Sequence, residues 1–277
     1  MNVLVLGGHG MAGHMIVNYF KSLAEYEITF THRSPAEQEG IYLDVSKEEN
    51  LRTILRKVKP DVVINCVGIL NQSAAEYPID AIKVNSLLPH ILKSELSTIG
   101  GKLIHISTDC VFDGARGNYS ESAQPDGTSM YAKTKALGEV TESPHLTIRT
   151  SIIGPELKDG IGLFNWFMKQ EGEVNGYTNV LWNGVTTLEL AKTIHTFIQQ
   201  DIKGLYHLTA PETLSKHALL LKFQKIFNKT DIVIHSFEDA VCDRTLLNTR
   251  KEIDYRLPHY DEMLLELRDW MKVNAYR

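Results

Sequence analysis

The chain has 277 residues, 43% of them hydrophobic and 23% charged, with a net charge of -5. That is enough chain to bury a large core, as one α/β domain or a main domain with a smaller one attached, and the charge is too mildly acidic for non-specific nucleic-acid binding. Cys66, Cys110 and Cys242 are scattered, with no Cys-x-x-Cys pair; this argues for a reducing compartment and against a disulfide or metal framework. No apolar run reaches membrane-spanning length, so a cytoplasmic protein is expected.

Asn2 to Leu6 is an apolar run without polar alternation, as in a strand buried on both faces of a parallel sheet. Gly7, Gly10 and Gly13 follow at once, then Met15, Ile16, Tyr19, Phe20 and Leu23 at helical spacing. Strand, glycine turn and helix in that order suit a dinucleotide: glycines admit the pyrophosphate to the backbone, and the helix N-terminus offers free N–H groups. Glu27 to Thr31 reads as the second strand. No acid follows it, and Arg33 does, which favours NADP(H) over NAD(H), since an arginine at this point accommodates a ribose 2′-phosphate. Ser46-Lys47-Glu48-Glu49 reads as a capping box opening a helix that Pro60 ends.

Asp61 to Gly68 is a further buried strand with its turn. Helical spacing resumes through Ile79, Ile82, Leu87, Leu88, Ile91 and Leu92. Lys102 to Ile106 is the next strand, and Ser107-Thr108-Asp109-Cys110 at its carboxyl end falls where open parallel sheets bind ligands. Tyr131 and Lys135, four apart, share a helix face. A phenol titrates near ~10, and a cation fixed beside it favours the phenolate, bringing proton exchange closer to neutral pH. His145 to Arg149 is another strand.

Beyond Thr150 the aromatic and glycine-rich stretches 160–167 and 176–184 suit a substrate-facing region better than a sheet, with Asn165 and Trp182 as candidate contacts. Thr186 to Ile198, Ser215 to Phe227 and about Asp261 to Lys272 read as helices, and Gly204 to Leu208 as a strand. His9 and His14 lie five apart, not a face-sharing spacing, and read as structural; no metal is expected. The alternation predicts a doubly wound, Rossmann-like parallel sheet over residues 1–154, to which 179–210 return. A smaller C-terminal substrate-binding domain takes 155–178 and 211–277.

These residues resemble the extended short-chain dehydrogenase/reductase family, and within it dTDP-4-dehydrorhamnose reductase and its relatives, which reduce a 4-keto group on a nucleotide-linked deoxysugar. The matching pieces are Gly7 to Gly13, Val63-Ile64-Asn65, Ser107 to Gly114, Tyr131 with Lys135 and Gly138-Glu139, Ile148 to Ser151, and Gly204 to Leu208; Arg244 to Thr249 matches more loosely. The resemblance implies that Tyr131 protonates the reduced carbonyl oxygen. It implies also that Thr108 hydrogen-bonds that oxygen and that Lys135 holds the nicotinamide ribose and lowers the tyrosine pKa. Gly7, Gly10, Met11 and Gly13 would hold the pyrophosphate, Asp44 and Val45 the adenine edge, Val67 and Gly68 the adenosine ribose side. Asp109, Cys110 and Arg244 would join Asn165 and Trp182 around the sugar.

Two departures point to a different nucleotide sugar, such as a UDP-linked N-acetylated 6-deoxy-4-keto hexose. Cys110 stands where the rhamnose enzymes have tyrosine, and Ile152 and Ile153 where they have a tryptophan. Cys110 also matches the acid/base cysteine of GDP-fucose synthases, which leaves an epimerase-reductase open, and the regulatory subunit of methionine adenosyltransferase resembles these reductases without being one. Oligomeric state is not legible in the sequence; a homodimer is admitted.

Overall fold

The computed structural model describes residues 1–158, 160–253 and 255–274. β1 (Asn2–Leu6) feeds through the glycine turn into α1 (Met11–Lys21), and β2 (Glu27–His32) and β3 (Ile41–Tyr42) complete one flank of a sheet. α2 (Glu48–Val58), β4 (Val62–Asn65), the short helices α3 (Asn71–Glu76) and α4 (Pro78–Ala81), a π-helical turn (Ile82–Leu87) and α5 (Leu88–Ile99) come next. β5 (Lys102–Ile106), α6 (Met130–Leu137) and β6 (Leu146–Arg149) continue on the other flank. Beyond them lie β7 (Ile152–Ile153), α7 (Leu163–Met168), β8 (Gly172–Trp182), β9 (Val185–Thr186), α8 (Thr187–Gln199), β10 (Gly204–His207), β11 (Leu214–Ser215), α9 (Lys216–Ile226), β12 (Ile232–Asp243) and α10 (Tyr260–Val273).

The seven-stranded sheet runs β3-β2-β1-β4-β5-β6-β10, all pairs parallel. Its two central strands, β1 and β4, read as nearly unbroken apolar runs because both faces are covered. Val3 and Val5 join the core under α1 and α8, whereas Leu4 and Leu6 join the one under α2 and α5. The chain order reverses between β1 and β4, so a crevice opens at their carboxyl ends. In α10, Met263, Leu264 and Leu267 form the expected buried stripe.

Four local readings give way. The capping box does not form: Lys47 is the N-cap of α2 without a side-chain bond, and the Ser46 hydroxyl turns to Asp44 instead, at 2.7 Å. The helical run from Ile79 is interrupted by the π turn, and Ile79, Ile82 and Leu87 are exposed. In the stretch 160–167, Leu163–Met168 is helical, with Phe164 and Phe167 in the core. In 176–184, residues as far as Trp182 are strand: β8 is the middle of a second sheet, β11-β8-β12, antiparallel to β11 and parallel to β12. Gly176 belongs to that strand because α9 lies against it; a Cβ there would meet the His217 ring at 2.7 Å.

Candidate active site

The β1–α1 turn is shaped by close backbone approach. Gly7 has φ +79°, its N–H reaches the Thr31 hydroxyl at 3.3 Å, and its carbonyl accepts from Gly10 N–H at 2.9 Å. A Cβ on Gly13 would stand 2.1 Å from the Gly7 carbonyl oxygen, so only glycine lets α1 start this near the strand. Gly10 caps α1 in extended conformation with no side-chain bond, leaving the N-terminal N–H groups to a ligand. The adjoining cleft, about 440 Å³, is lined by Gly7, Gly10, Arg33, Asp44, Val45, Val67 and Gly68 among others. Of the sequence-predicted cofactor residues of the amino-terminal strands and turns, Met11 and Gly13 do not line it; they form the first turn of α1 behind it. Turn, free helix terminus and elongated cleft fit a dinucleotide.

At the carboxyl end of β5, Thr108 caps a 3₁₀ turn (Asp109–Val111). Its hydroxyl accepts from Cys110 N–H at 3.1 Å and donates to Asp109 Oδ1 at 3.1 Å. α6 begins at Ser129, whose hydroxyl accepts from Ala132 N–H at 3.0 Å, and this cap sets Tyr131 in the first turn and Lys135 one turn on, both buried. The Tyr131 phenol faces Thr108 across the start of the helix. Lys135 Nζ donates to the Ile106 carbonyl at 2.7 Å and lies 3.3 Å from His105 Nε2; Asn65 Nδ2 lies 3.1 Å from the other His105 nitrogen. Burial pulls Lys135 down to about 8, opposed by Glu139 and Cys66. The Tyr131 phenol is pushed up, first by burial and then by Cys110, with only Thr108 opposing. The expectation that Lys135 lowers the tyrosine pKa therefore fails: the ammonium is drawn to the β5 carbonyl, and desolvation dominates the phenol.

On the substrate side, Arg244 follows β12 and reaches back to β5. Its Nε donates to the Phe112 carbonyl at 2.9 Å, and Nη1 lies 4.0 Å from Cys110 Sγ. Burial pushes the Cys110 thiol up to about 12, with Asp109 adding to the rise, and pushes Asp109 upward too, with Lys216 opposing most. Thr108, Asp109, Cys110, Tyr131 and Arg244 are thus one cluster. Trp182 is 3% exposed and in the core; its indole N–H donates to Ser151 Oγ at 2.8 Å and its ring stacks on Tyr260. Asn165 Nδ2 donates to the Glu156 carbonyl at 3.3 Å, apart from the Thr108 cluster in the contacts it makes.

Sequence reasoning assigned no role to four residues that shape the site. Lys216, first residue of α9, brings Nζ to 4.9 Å from the Trp182 ring centre and faces Asp109, Cys110 and Cys242; burial draws it down to about 8. Asn85, in the π turn, accepts from Ile69 N–H at 2.8 Å and donates to Thr134 Oγ1 at 3.1 Å, tying the turn after β4 to α6. Glu139 and Arg149 form a buried two-pronged ion pair beneath Ser107. Asn and Glu in these positions carry no local spacing signal; a π turn, which clusters at functional sites, is the one feature that points to Asn85. Among the described residues no group of three His, Cys, Asp or Glu could hold a metal, and no helix is long and apolar enough to cross a membrane.

A dinucleotide cleft at the switch point, with Thr, Tyr and Lys converging one strand away, is the arrangement of the extended short-chain dehydrogenase/reductase class, and the fold is of that class. More narrowly, the chain belongs to the family described as RmlD substrate binding domain, which matches residues 1–240. It is 28% identical over 241 residues to methionine adenosyltransferase 2 subunit beta of Xenopus tropicalis, covering 81% of this chain and 72% of that one. It is 31% identical over 157 residues to dTDP-4-dehydrorhamnose reductase of Burkholderia thailandensis, covering 54% of this chain and 50% of that protein. The crystal structure of dTDP-4-dehydrorhamnose reductase from Bacillus anthracis in complex with NADP matches with a TM-score of 0.81 at 19% identity, over 97% of this chain and 99% of that one. At that identity the last likeness is one of fold.

Proposed function

We propose that the protein reduces the 4-keto group of a nucleotide-linked 6-deoxy sugar with NADPH, in the synthesis of cell-surface polysaccharide precursors. The observation that carries this reading is that Tyr131, in the first turn of α6, faces Thr108 and Cys110 at the carboxyl end of β5, with Lys135 one turn along the helix. Gly7, Gly10, Val67 and Gly68 in the cleft would hold a reduced nicotinamide dinucleotide, which would supply a hydride to the carbonyl carbon. The two hydroxyls would donate hydrogen bonds to the carbonyl oxygen as charge grows on it, Thr108 exchanging its bond to Asp109 for one to the substrate, which lowers the barrier. Tyr131 then passes its phenolic proton to that oxygen; a phenol kept protonated by burial is in the form a general acid needs. Lys135 anchors the end of β5 through Ile106 and, as the family resemblance implies, would hold the nicotinamide ribose. Arg33 in the cleft supports NADP(H) over NAD(H). Residues 1–154 with 179–210 serve the cofactor, and 155–178 with 211–277 the sugar, for which Asp109, Cys110 and Arg244, with Lys216, are the contacts. A cytoplasmic homodimer is the expected form.

The test is incubation with NADPH or NADH and a panel of nucleotide-linked 4-keto sugars, following loss of the reduced cofactor. Turnover with one of them, faster with NADPH, is expected. A second reading is favoured by the relative that is a methionine adenosyltransferase subunit beta: a regulatory subunit that binds the dinucleotide without turning over a sugar. Tight cofactor binding with no turnover across the panel would select it.

A further inference from the structure

The cofactor cleft holds two imidazoles that the reduction does not use. His9 lies in the glycine turn and His32 ends β2, next to Arg33. Their rings stack, centres 5.2 Å apart and planes 9° from parallel, with Phe30 tilted against His9 at 5.6 Å. Both line the cleft beside Arg33 and Ser34. His32 is only 5% exposed, yet neither ring nitrogen has a hydrogen-bond partner among the described residues. A buried polar group left unpaired calls for an explanation, and one that faces a ligand cleft has a ready one. The end of the second strand is where the adenosine ribose of a dinucleotide lies.

We propose that His9 and His32, with Arg33, form a proton-linked site for a phosphate monoester on the cofactor ribose, the imidazole pair taking up a proton as the phosphate binds. The proposal rests on the NADP(H) reading above and adds to it a titratable element beside the arginine. The groups facing the pair are mixed in sign. Glu37 Oε1 is 3.9 Å from His9 Nδ1, Glu39 is paired with Lys21, and Asp44 is bonded to Ser46; Lys158 and Asp80 line the same cleft, and His14 faces His9 from α1. In the free protein His9 is held below its ordinary pKa, by burial first, with Glu37 opposing and His32 and Lys158 reinforcing. A dianionic phosphate reverses that balance and favours the protonated ring. The ligand's own titration has the opposite sign: a phosphate monoester has its second pKa near ~6, so binding as the dianion releases protons. Net uptake therefore reports the protein.

The test uses adenosine 2′,5′-bisphosphate and adenosine 5′-monophosphate, titrated calorimetrically at pH 7 in two buffers of different ionisation enthalpy, so that proton exchange is measured directly. Net uptake approaching one proton is expected for the bisphosphate and close to none for the monophosphate. The bisphosphate affinity should weaken by up to about tenfold per pH unit above neutrality, the limit for one linked proton. His9→Gln and His32→Gln should abolish the uptake or turn it into release. Because His32→Gln replaces a buried ring, histidine-ring NMR titration of the unmodified protein is the second measurement: the bisphosphate should raise the pKa of at least one of the two imidazoles. Tighter binding of the bisphosphate with no uptake and no imidazole shift would overturn the proposal and leave the NADP(H) reading intact. Equal binding of the two ligands would overturn that reading and this proposal with it.

Discussion

Arg149→Met strands a buried charge directly beneath the reaction site. The Glu139 and Arg149 side chains are 6% and 3% exposed, and two bonds of 2.7 Å join them, Nε to Oε1 and Nη2 to Oε2. The Ser107 hydroxyl adds a third donor to the carboxylate at 2.8 Å, and the guanidinium also packs over the Phe112 ring. Methionine keeps the length and most of the apolar contact, so the lost quantity is the charge compensation: Glu139 would retain one neutral donor for a buried carboxylate. Breaking one side of such a pair costs roughly 3–5 kcal/mol. At about 2–4 °C per kcal/mol for a chain of this size class, the melting temperature should fall by roughly 6–20 °C. Urea unfolding followed by circular dichroism measures the loss. Adding Glu139→Gln to Arg149→Met removes the stranded charge and should recover at least half of it. A loss below about 1 kcal/mol, or a double variant no better than the single one, would refute the view that the pair compensates buried charge.

Tyr131→Phe should lower kcat about 10²–10⁴-fold while cofactor affinity, read by fluorescence titration, stays the same; near-normal turnover would remove Tyr131 as the acid. Cys110→Ser should slow solvent-deuterium incorporation into the sugar only if epimerisation accompanies reduction, so a reductase that shows no exchange at all is a simple ketoreductase. Lys135→Met gives a stability signature. The folded-state value of about 8 lies below the ordinary 10.5. Between these values the unfolded chain therefore binds more protons than the folded one, and the lysine's contribution to stability rises with pH. Below pH 8 both states are protonated and the burial penalty is complete. The wild type should accordingly gain on Lys135→Met by roughly 3 kcal/mol from about pH 8 to 10.5, at 1.36 kcal/mol per unit. A flat difference in paired urea titrations would show that burial does not disfavour the ammonium.

The parts of the fold legible in the sequence are those whose signal is local. A strand buried on both faces is a nearly unbroken apolar run, which makes β1 and β4 readable from Asn2–Leu6 and Val62–Asn65, and shorter apolar stretches mark β5 and β6 at Lys102–Ile106 and Leu146–Arg149. The glycine turn is equally local, since the Gly13 approach to Gly7 is set within seven residues. β8 and β12 fail this test. They pair with each other about sixty residues apart in the chain, each with an exposed face carrying Glu173, Glu238 and Asp239, and with Gly172 and Gly176 where a strand propensity would be sought. The π turn defeats periodicity in another way. An added residue rotates the remainder of the helix by about 100°, so the apolar positions from Ile79 to Leu87 cannot all fall on the face that Leu88 and Leu92 bury. Lys216 is invisible for a topological reason, since it reaches Asp109 only because β11 pairs with β8 and delivers the start of α9 to the end of β5.

The Tyr131 and Lys135 pair marks the limit of what spacing can establish. Four residues on a helix bring two side chains to one side; they do not decide which neighbour each will take. The carbonyl of Ile106 ends β5 and captures the ammonium at 2.7 Å, while the phenol faces Thr108. The two groups are thereby given separate tasks. A phenol held protonated by burial has a proton to give, and the lysine, drawn down by burial, fixes the end of β5. Had the ammonium lain against the phenol, as the spacing suggests, it would have lowered the phenol's pKa and brought its proton exchange closer to neutral pH.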